Sequence, residues 1–299
     1  MSGVARLLNV WLRRTEKPRL ERAQDPKVLR RAFERNARLF FWPPRGTKYR
    51  ETQVAGLSAT WVNPDRPGPL ILYLHGGGYV FGSPRTHRAM LARLSSDAGC
   101  PALLPVYRRA PEHAFPAALD DAARAYEAVM HRPGGVILGG DSAGGGLALA
   151  LLAAILDRDL PKPLGTFAFS PLTDMRFSGE SVLRNAESDA VLPAARAGDM
   201  AEMYLQGADP HDPRASPLFA TFAGASPIWL TATEGEILLD DTRRITARLQ
   251  DQHVAVTEVI ETGLPHVWPL FHGILPEARA TLRHLAGWIS SLSRPPADS

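Results

Sequence analysis

Short apolar runs alternate along most of this chain with longer segments in which apolar residues recur at helical spacing. A continuous apolar run of about five residues is typical of a strand that is buried on both faces. One further segment alternates apolar and polar residues, which is typical of a half-exposed strand. The predicted strands cover residues 51–62 (the alternating segment), 70–74, 102–106, 135–139, 165–169, 227–232 and 254–260.

The segments between these strands predict helices. Asp25 followed by Pro26 predicts an N-cap with proline in the first turn, and Trp42 and Pro43 end that helix, which covers 26–40. The other predicted helices cover residues 86–97, 116–131, 143–157, 237–250 and 276–291. Alternation of this kind predicts an α/β fold in which helices flank a mostly parallel sheet.

Two stretches fall outside the alternation. Residues 1–45 read as two helices, whereas residues 174–215 are polar, only partly helical, and separate two strands of the sheet. An insertion at that place is expected to lie as a lid over the carboxyl ends of the strands. Residues 4–12 are apolar at helical spacing; we expect this helix to pack on the domain, with a membrane-surface helix as the alternative. Residues 294–299 are expected to fray.

The composition is that of a globular protein, because 45% of the 299 residues are hydrophobic and 22% are charged. The formal net charge is only +3 and the chain has no dense Lys/Arg stripe, so nucleic-acid binding is not expected. The sequence has neither an apolar run of roughly 18 residues nor a secretory signal pattern, which predicts no integral membrane segment and a cytoplasmic location. The single cysteine, Cys100, precedes an apolar run, so a buried structural role is favoured over catalysis.

The segment Gly140-Asp-Ser-Ala-Gly144 lies directly between a predicted buried strand and a predicted helix. This is the context of a G-x-S-x-G nucleophile elbow, in which a sharp turn raises the serine side chain above the sheet. The start of the helix also presents free N–H groups to negative charge. A phosphate-binding loop is the alternative, but the glycine spacing does not match G-x-G-x-x-G. Ser142 is therefore predicted to be a nucleophile.

A second glycine-rich segment, His75-Gly-Gly-Gly78, directly follows the strand at 70–74. Consecutive glycines let backbone N–H groups approach a ligand oxygen without interference from a Cβ atom. Two such groups and the N–H group of Ala143 would form an oxyanion hole.

A serine nucleophile needs a base, and in this class of fold the chain order is Ser, acid, His. His266 follows the strand at 254–260 in a loop from which it could reach the serine, and His272 is a weaker alternative. The acid is expected after the strand at 227–232, where Glu236 is best placed. The alternatives for the acid are Glu234, Asp240 and Asp241.

Together these motifs resemble the hormone-sensitive-lipase-like family of α/β-hydrolases, bacterial esterases marked by His-Gly-Gly-Gly and Gly-Asp-Ser-Ala-Gly. The resemblance covers nearly the whole chain and includes the segment from Tyr107 to Ala118. It implies an α/β-hydrolase fold with an eight-stranded, mostly parallel sheet. The catalytic domain would be residues 46–299, under a helical cap formed by residues 1–45 and the insertion at about 174–215.

The resemblance also implies roles for single residues. The family's oxyanion donors fall on Gly77, Gly78 and Ala143. The first acidic position of the family's D-P-L-x-D motif falls on Glu236, which is one methylene longer than aspartate. Val267-Trp268 replaces the Gly-Phe that often follows the family's histidine, a change that is expected to reshape the pocket.

The sequence thus predicts a serine carboxylesterase that hydrolyses short- to medium-chain acyl esters through an acyl-enzyme, with Ser142, His266 and Glu236 as catalytic residues. The family implies no cofactor, and the chain has no H-E-x-x-H motif or Cys/His ligand cluster that would predict a metal. The expected partner is a small-molecule ester, and a homodimer stays open. Two other functions stay open: hydrolysis of a lactone, amide or carbamate by the same residues, and ligand binding without catalysis. Plant gibberellin receptors, which resemble the family, bind a ligand without catalysis. They lack the base, whereas this chain has His266.

Overall fold

The computed structural model describes residues 1–292, and the fraying expected at 294–299 lies outside the described residues. The α-helices are α1 (Gly3–Arg22), α2 (Pro26–Phe40), α3 (Pro84–Ala98), α4 (Ala117–Glu127), α5 (Ala143–Asp157), α6 (Ser181–Arg184), α7 (Ala197–Leu205), α8 (Leu239–Asp251) and α9 (Pro276–Leu292). The β-strands are β1 (Tyr49–Val54), β2 (Leu57–Val62), β3 (Leu70–Leu74), β4 (Ala102–Pro105), β5 (Val136–Asp141), β6 (Gly165–Phe169), β7 (Ile228–Thr233) and β8 (Val256–Glu261).

The strands of the described chain form one eight-stranded sheet in the order β1-β2-β4-β3-β5-β6-β7-β8. The pairs β1–β2 and β2–β4 are antiparallel, and every pairing from β4 to β8 is parallel. Parallel neighbours need a crossover connection; the helices α3, α4, α5 and α8 lie in four of these connections, and the insertion with α6 and α7 connects β6 to β7. The result is the mostly parallel, helix-flanked sheet that the sequence predicts.

One predicted strand is wrong: residues 51–62 form two strands, β1 and β2, rather than one. Ala55 and Gly56 separate them with positive φ angles of 50° and 78°. These are the values of a type I′ hairpin turn, which reverses the chain within two residues. Val54 and Leu57 pair directly across the turn. The apolar alternation continues through both strands, so it does not reveal the reversal.

The core has two layers, one on each face of the sheet, and β3 contributes to both. Leu70, Leu72 and Leu74 belong to an apolar cluster that includes residues of α4, α5 and α8. Ile71 and Tyr73 belong to a second cluster, which includes residues of α3 and α9. Successive side chains of a strand point to opposite faces, so covering both faces requires the continuous apolar run seen in the sequence.

Cys100 is only 1% exposed, and burial raises the pKa of its thiol to about 11. The thiol is therefore protonated near neutral pH, as expected for a structural rather than a nucleophilic cysteine. Among the helices of residues 1–292, none has both the length and the apolar composition needed to cross a membrane.

The carboxyl ends of the parallel strands lie along one edge of the sheet, and the loops that carry the sequence motifs leave from that edge. The register pairs Leu74 of β3 with Gly140 of β5, and Thr233 of β7 with Glu261 of β8. Four loops therefore start at similar positions along the strand direction: the glycine-rich loop, the serine elbow, the acidic turn and the histidine loop.

Candidate active site

Ser142 occupies the sharp turn between β5 and α5. Its φ and ψ angles are 52° and −124°, which a residue with a Cβ atom rarely adopts. Its N–H group donates to the carbonyl of Phe169 at 2.8 Å. Its own carbonyl accepts from the N–H groups of Gly146 and Leu172, both at 3.0 Å. These three backbone hydrogen bonds hold the serine in a strained conformation.

The outer glycines of the elbow are required by close packing of the backbone. A Cβ atom at Gly140 would collide with the carbonyl of Gly144. A Cβ atom at Gly144 would collide in turn with the carbonyl of Leu74, at the end of the neighbouring strand. Because backbone atoms cannot move aside without disrupting the sheet, both positions exclude any residue with a side chain.

His266 and Glu236 form a buried pair in the loops that follow β8 and β7. The Nδ1 atom of His266 lies 2.7 Å from Oε2 of Glu236, and both side chains are at least 95% buried. The other carboxylate oxygen, Oε1, accepts a hydrogen bond from the N–H group of Thr233 at 3.1 Å. The Nε2 atom of His266 is buried and has no partner within residues 1–292. His266 lines the same pocket as Ser142.

Glu236 raises the basicity of His266. Burial lowers the pKa of His266, but the hydrogen bond and the negative charge of Glu236 outweigh burial, so the pKa is raised above its usual value. A carboxylate at Nδ1 also fixes the tautomer, because the proton stays on Nδ1 and leaves Nε2 as the acceptor. That is the state a general base must have.

The other carboxylates considered for the acid do not contact His266. Asp240 accepts hydrogen bonds from the N–H group of Ser181 and from Arg184, so it joins α8 to α6. Asp241 accepts from the N–H group of Thr173, and burial raises the pKa of its carboxyl to about 7. The remaining candidate, Glu234, accepts a hydrogen bond from Thr262 at 3.1 Å.

The alternative base, His272, has no carboxylate at hydrogen-bonding distance among the described residues. Burial lowers the pKa of His272 to about 4. Its ring is therefore neutral and weakly basic near neutral pH. The structure pairs a carboxylate with His266 and not with His272.

The glycine-rich loop is tied to the serine elbow through Asp141, the residue that precedes Ser142. The Asp141 carboxylate accepts hydrogen bonds from the N–H group of Gly76 at 2.9 Å, from the Tyr73 hydroxyl at 2.8 Å and from His87 at 3.2 Å. Although burial raises the pKa of Asp141, its interaction with His87 and its hydrogen bonds outweigh burial and lower that pKa. An ionised aspartate therefore fixes the loop against the elbow.

The predicted oxyanion donors of the glycine-rich loop, Gly77 and Gly78, directly follow Gly76. Within residues 1–292, the N–H groups of Gly77, Gly78 and Ala143 take part in no hydrogen bond. Gly78 has a φ angle of 58°, a left-handed conformation that glycine adopts without cost. Ala143 is the first residue of α5, whose N-terminal N–H groups have no intrahelical acceptor. Three free donors thus lie in the loop and elbow that flank Ser142.

Two polar residues that the sequence did not single out hold the acidic turn in place. Asn185 donates hydrogen bonds to the carbonyls of Glu234 and Glu236, both at 2.8 Å. The buried carboxylate of Asp189 accepts from the N–H group of Ile237 at 2.9 Å. Both lie in the polar insertion, where nothing in the local sequence distinguishes them from solvated residues. Their role is visible only once the insertion is folded onto the turn after β7.

The residue after the histidine is strained. Val267 has φ and ψ angles of 49° and 45°, in the left-handed region. For a β-branched residue this costs roughly 1–2 kcal/mol, and glycine would adopt the conformation freely. The departure from the family's Gly-Phe therefore introduces strain directly beside His266. It also adds an apolar side chain to the pocket wall, because Val267 lines the pocket.

Ser142 lines a pocket whose other lining residues come from several parts of the chain. Its lining comes from the first 45 residues, from the segment between Leu172 and Met200, from the loops after β7 and β8, and from the glycine-rich loop and the serine elbow. Most lining residues are apolar, including Trp11, Leu29, Phe33, Phe40, Phe41, Leu172, Phe177, Val191, Leu192, Met200, Ile237, Leu238, Leu270 and Phe271. Residues 1–292 contain no group of three or more His, Cys, Asp or Glu side chains that could hold a metal ion.

A strained serine at a strand-to-helix elbow, a histidine bonded to a buried carboxylate, and a parallel sheet that carries both define a hydrolase of the α/β class. The chain belongs to the alpha/beta hydrolase fold family, whose model matches residues 71–270. Both the predicted fold class and the predicted family are thereby confirmed.

Relatives and solved structures agree with this assignment. The chain is 39% identical over 233 residues to an acetyl-hydrolase from Streptomyces hygroscopicus, covering 77% of this chain and 78% of the relative. It is 32% identical over 272 residues to an esterase from Acinetobacter venetianus, covering 89% of each. The crystal structure of an esterase from the bacterial hormone-sensitive lipase family superimposes with a TM-score of 0.91 at 33% identity, covering 98% of this chain and 99% of that one.

Proposed function

We propose that this chain is a carboxylic ester hydrolase in which Ser142 is the nucleophile, His266 the general base and Glu236 the residue that orients the base. Ester hydrolysis is the activity named for the relatives and the structural neighbour, and it agrees with the prediction from the sequence. The observation that carries the residue assignment is the 2.7 Å contact between His266 Nδ1 and Glu236, with Nε2, in the pocket of Ser142, left without a partner among residues 1–292.

The proposed reaction has two halves. His266 Nε2 takes the proton of the Ser142 hydroxyl as Oγ attacks the ester carbonyl, and the tetrahedral intermediate forms. The same imidazole then gives that proton to the leaving alcohol, and the C–O bond to the alcohol breaks. In the second half a water molecule loses a proton to His266 and attacks the acyl carbon, which releases the carboxylic acid and restores the Ser142 hydroxyl.

Charge that develops on the carbonyl oxygen needs donors that are already in position. We assign this role to the N–H groups of Gly77, Gly78 and Ala143, which are free within residues 1–292. Preorganised donors of this kind contribute about 2.7–4 kcal/mol each to the transition state in comparable sites. The hydrogen bonds of Asp141 would keep the loop donors aligned with the donor on α5.

Residues 1–45 and the insertion at about 174–215 are proposed to act as a cap that selects the substrate, above a catalytic domain of residues 46–299. The apolar lining favours acyl and alcohol groups without charge. The relative named an acetyl-hydrolase supports a preference for short acyl groups. We therefore propose short- to medium-chain acyl esters as substrates, in a cytoplasmic enzyme that needs no cofactor.

A p-nitrophenyl ester series with acyl chains of two to sixteen carbons tests this proposal, with Ser142→Ala as the control for contaminating activity. We expect the highest kcat/KM at about eight carbons or fewer, because a pocket buries a ligand of limited size and a relative is named an acetyl-hydrolase. Fastest turnover of the sixteen-carbon ester would contradict the proposed substrate class. Parallel assays with a lactone, an amide and a carbamate measure whether another acyl bond is preferred.

A further inference from the structure

Charge is divided unevenly along this chain. Residues 1–45 contain twelve Lys and Arg against four Asp and Glu, whereas the remaining residues contain 22 Lys and Arg against 27 Asp and Glu. The small net charge of the whole protein is therefore the sum of a strongly basic segment, residues 1–45, which contains α1 and α2, and a mildly acidic remainder. A basic surface of this kind attracts an anionic partner.

The same segment exposes most of the large apolar side chains on the surface. Within residues 1–292, twelve large hydrophobic residues are exposed, and nine of them lie in residues 1–45. On α1, Val4, Leu7 and Trp11 follow one another at three- and four-residue spacing, which places them on one face of the helix. Leu7 is 73% exposed, whereas Leu8 and Leu12 on the opposite side are buried.

This exposed surface continues into the rim of the active-site pocket. The rings of Trp11 and Phe40 contact each other edge to face at 5.3 Å and join α1 to the end of α2. Both residues line the pocket of Ser142, and both are more than one third exposed. We call Val4, Leu7, Val10, Trp11 and Phe40 the N-terminal apolar face.

Two arginines border the N-terminal apolar face, and their side chains have no partner within residues 1–292. Arg6 lies four residues before Val10, and Arg14 lies seven residues after Leu7, so both are close to the apolar row on α1. Both are exposed, and within residues 1–292 neither side chain forms a hydrogen bond or ion pair with another residue. Their guanidinium groups are free to meet an external anion.

We propose that the N-terminal apolar face docks on the surface of an anionic lipid bilayer, with α1 lying in the plane of the interface. A helix with an apolar face, basic flanks and a tryptophan at its edge matches the chemistry of that interface. A second copy of the chain fits poorly, because self-association would bring two strongly basic faces together. Docking in this way turns the rim residues Trp11 and Phe40 toward the lipid, so the pocket opens where ester substrates of low water solubility are dissolved.

Vesicle co-sedimentation tests this inference with the full-length protein. Phosphatidylcholine vesicles, with and without phosphatidylglycerol, are compared for wild type, Leu7→Ser and the double variant Arg6→Ser/Arg14→Ser. Leu183→Ser and Arg243→Ser/Arg283→Ser are matched controls, since they remove equally exposed side chains outside residues 1–45. Turnover of soluble p-nitrophenyl acetate reports whether each variant is folded.

We expect wild type to bind the vesicles that contain phosphatidylglycerol, and to lose that binding as salt is raised. The double arginine variant should bind about 25-fold more weakly, at about fivefold for each cation near an anionic surface. Leu7→Ser should bind about tenfold more weakly because its apolar area no longer leaves water. Both variants should retain wild-type turnover of the soluble ester, and the controls should bind as wild type does.

Three results would overturn the inference. The first is failure of wild type to bind the anionic vesicles, and the second is equal binding by wild type and the double arginine variant. The third comes from analytical ultracentrifugation without lipid: a dimer that Leu7→Ser dissociates would assign the N-terminal apolar face to a second copy of the chain.

Discussion

Replacing Glu236 with glutamine should abolish most of the activity, although the substitution changes only one oxygen to an amide nitrogen. In the structure, Oε1 accepts a hydrogen bond from the N–H group of Thr233, and Oε2 accepts from His266 Nδ1. A glutamine has one acceptor for these two donors. If its oxygen faces Thr233, its amide group donates to Nδ1 and forces the proton of the imidazole onto Nε2, where a base cannot function. If its oxygen faces His266, the amide nitrogen opposes the N–H group of Thr233.

The magnitude follows from the loss of the correct tautomer. Removing the acid in comparable triads lowers kcat by roughly 10³- to 10⁴-fold. That range corresponds to about 4–5.5 kcal/mol of transition-state stabilisation. We expect a loss within this range for Glu236→Gln, with KM little changed, because Glu236 lies behind the histidine and does not line the pocket.

Asp240→Asn is the matched control. Asp240 lies on the same acidic segment, but its carboxylate accepts hydrogen bonds from Ser181 and Arg184. We expect kcat to fall by less than about tenfold, with the main effect on stability. Steady-state kinetics on a p-nitrophenyl ester, with circular dichroism to verify folding, separate the two variants. The opposite ranking in two folded variants would refute the assignment of Glu236 as the acid.

Three further predictions concern the base, the loop and metal ions. The pKa of His266 is raised, and only the neutral ring can take a proton, so kcat/KM should fall as the pH drops through that pKa. In Glu236→Gln the fall in the pH profile of kcat/KM should move to lower pH. An unchanged pH profile would argue that His266 is not the base. Asp141→Asn should lower the free energy of unfolding by about 1–3 kcal/mol, since one of its three donors loses its acceptor. It should also lower kcat, and urea denaturation and steady-state kinetics measure the two effects. A wild-type kcat would contradict a role for Asp141 in aligning the proposed oxyanion donors. Activity should be unchanged by EDTA, and a loss that zinc restores would contradict a metal-free mechanism.

The parts of the fold that follow from local pattern were predictable. The buried strands are continuous apolar runs, because both faces of a parallel sheet are covered, and such runs stand out in any sequence. The elbow could also be predicted, because side chains at positions 140 and 144 would collide with the backbone and both positions are therefore glycine in the sequence. The hairpin at Ala55 and Gly56 was missed because alternation continues on both sides of the turn.

The supports of the site could not be predicted, because they depend on contacts between distant segments. Asn185 reaches the turn after β7 from about fifty residues earlier in the chain, and Asp189 does the same. Neither residue belongs to a motif or to a periodic pattern. The sequence favours Glu236 over Asp240 but leaves both open on one short acidic segment, and the fold shows that Glu236 is the one that contacts His266.

Covalent labelling of Ser142 tests the central claim most directly. The protein is incubated with an organophosphate such as diethyl p-nitrophenyl phosphate, and the modified residue is located by peptide mass spectrometry. We expect one phosphoryl group per chain, located on Ser142, with activity lost in proportion to labelling, and no label on Ser142→Ala. Complete inactivation with the label on another residue, or full turnover by a folded Ser142→Ala protein, would contradict the account.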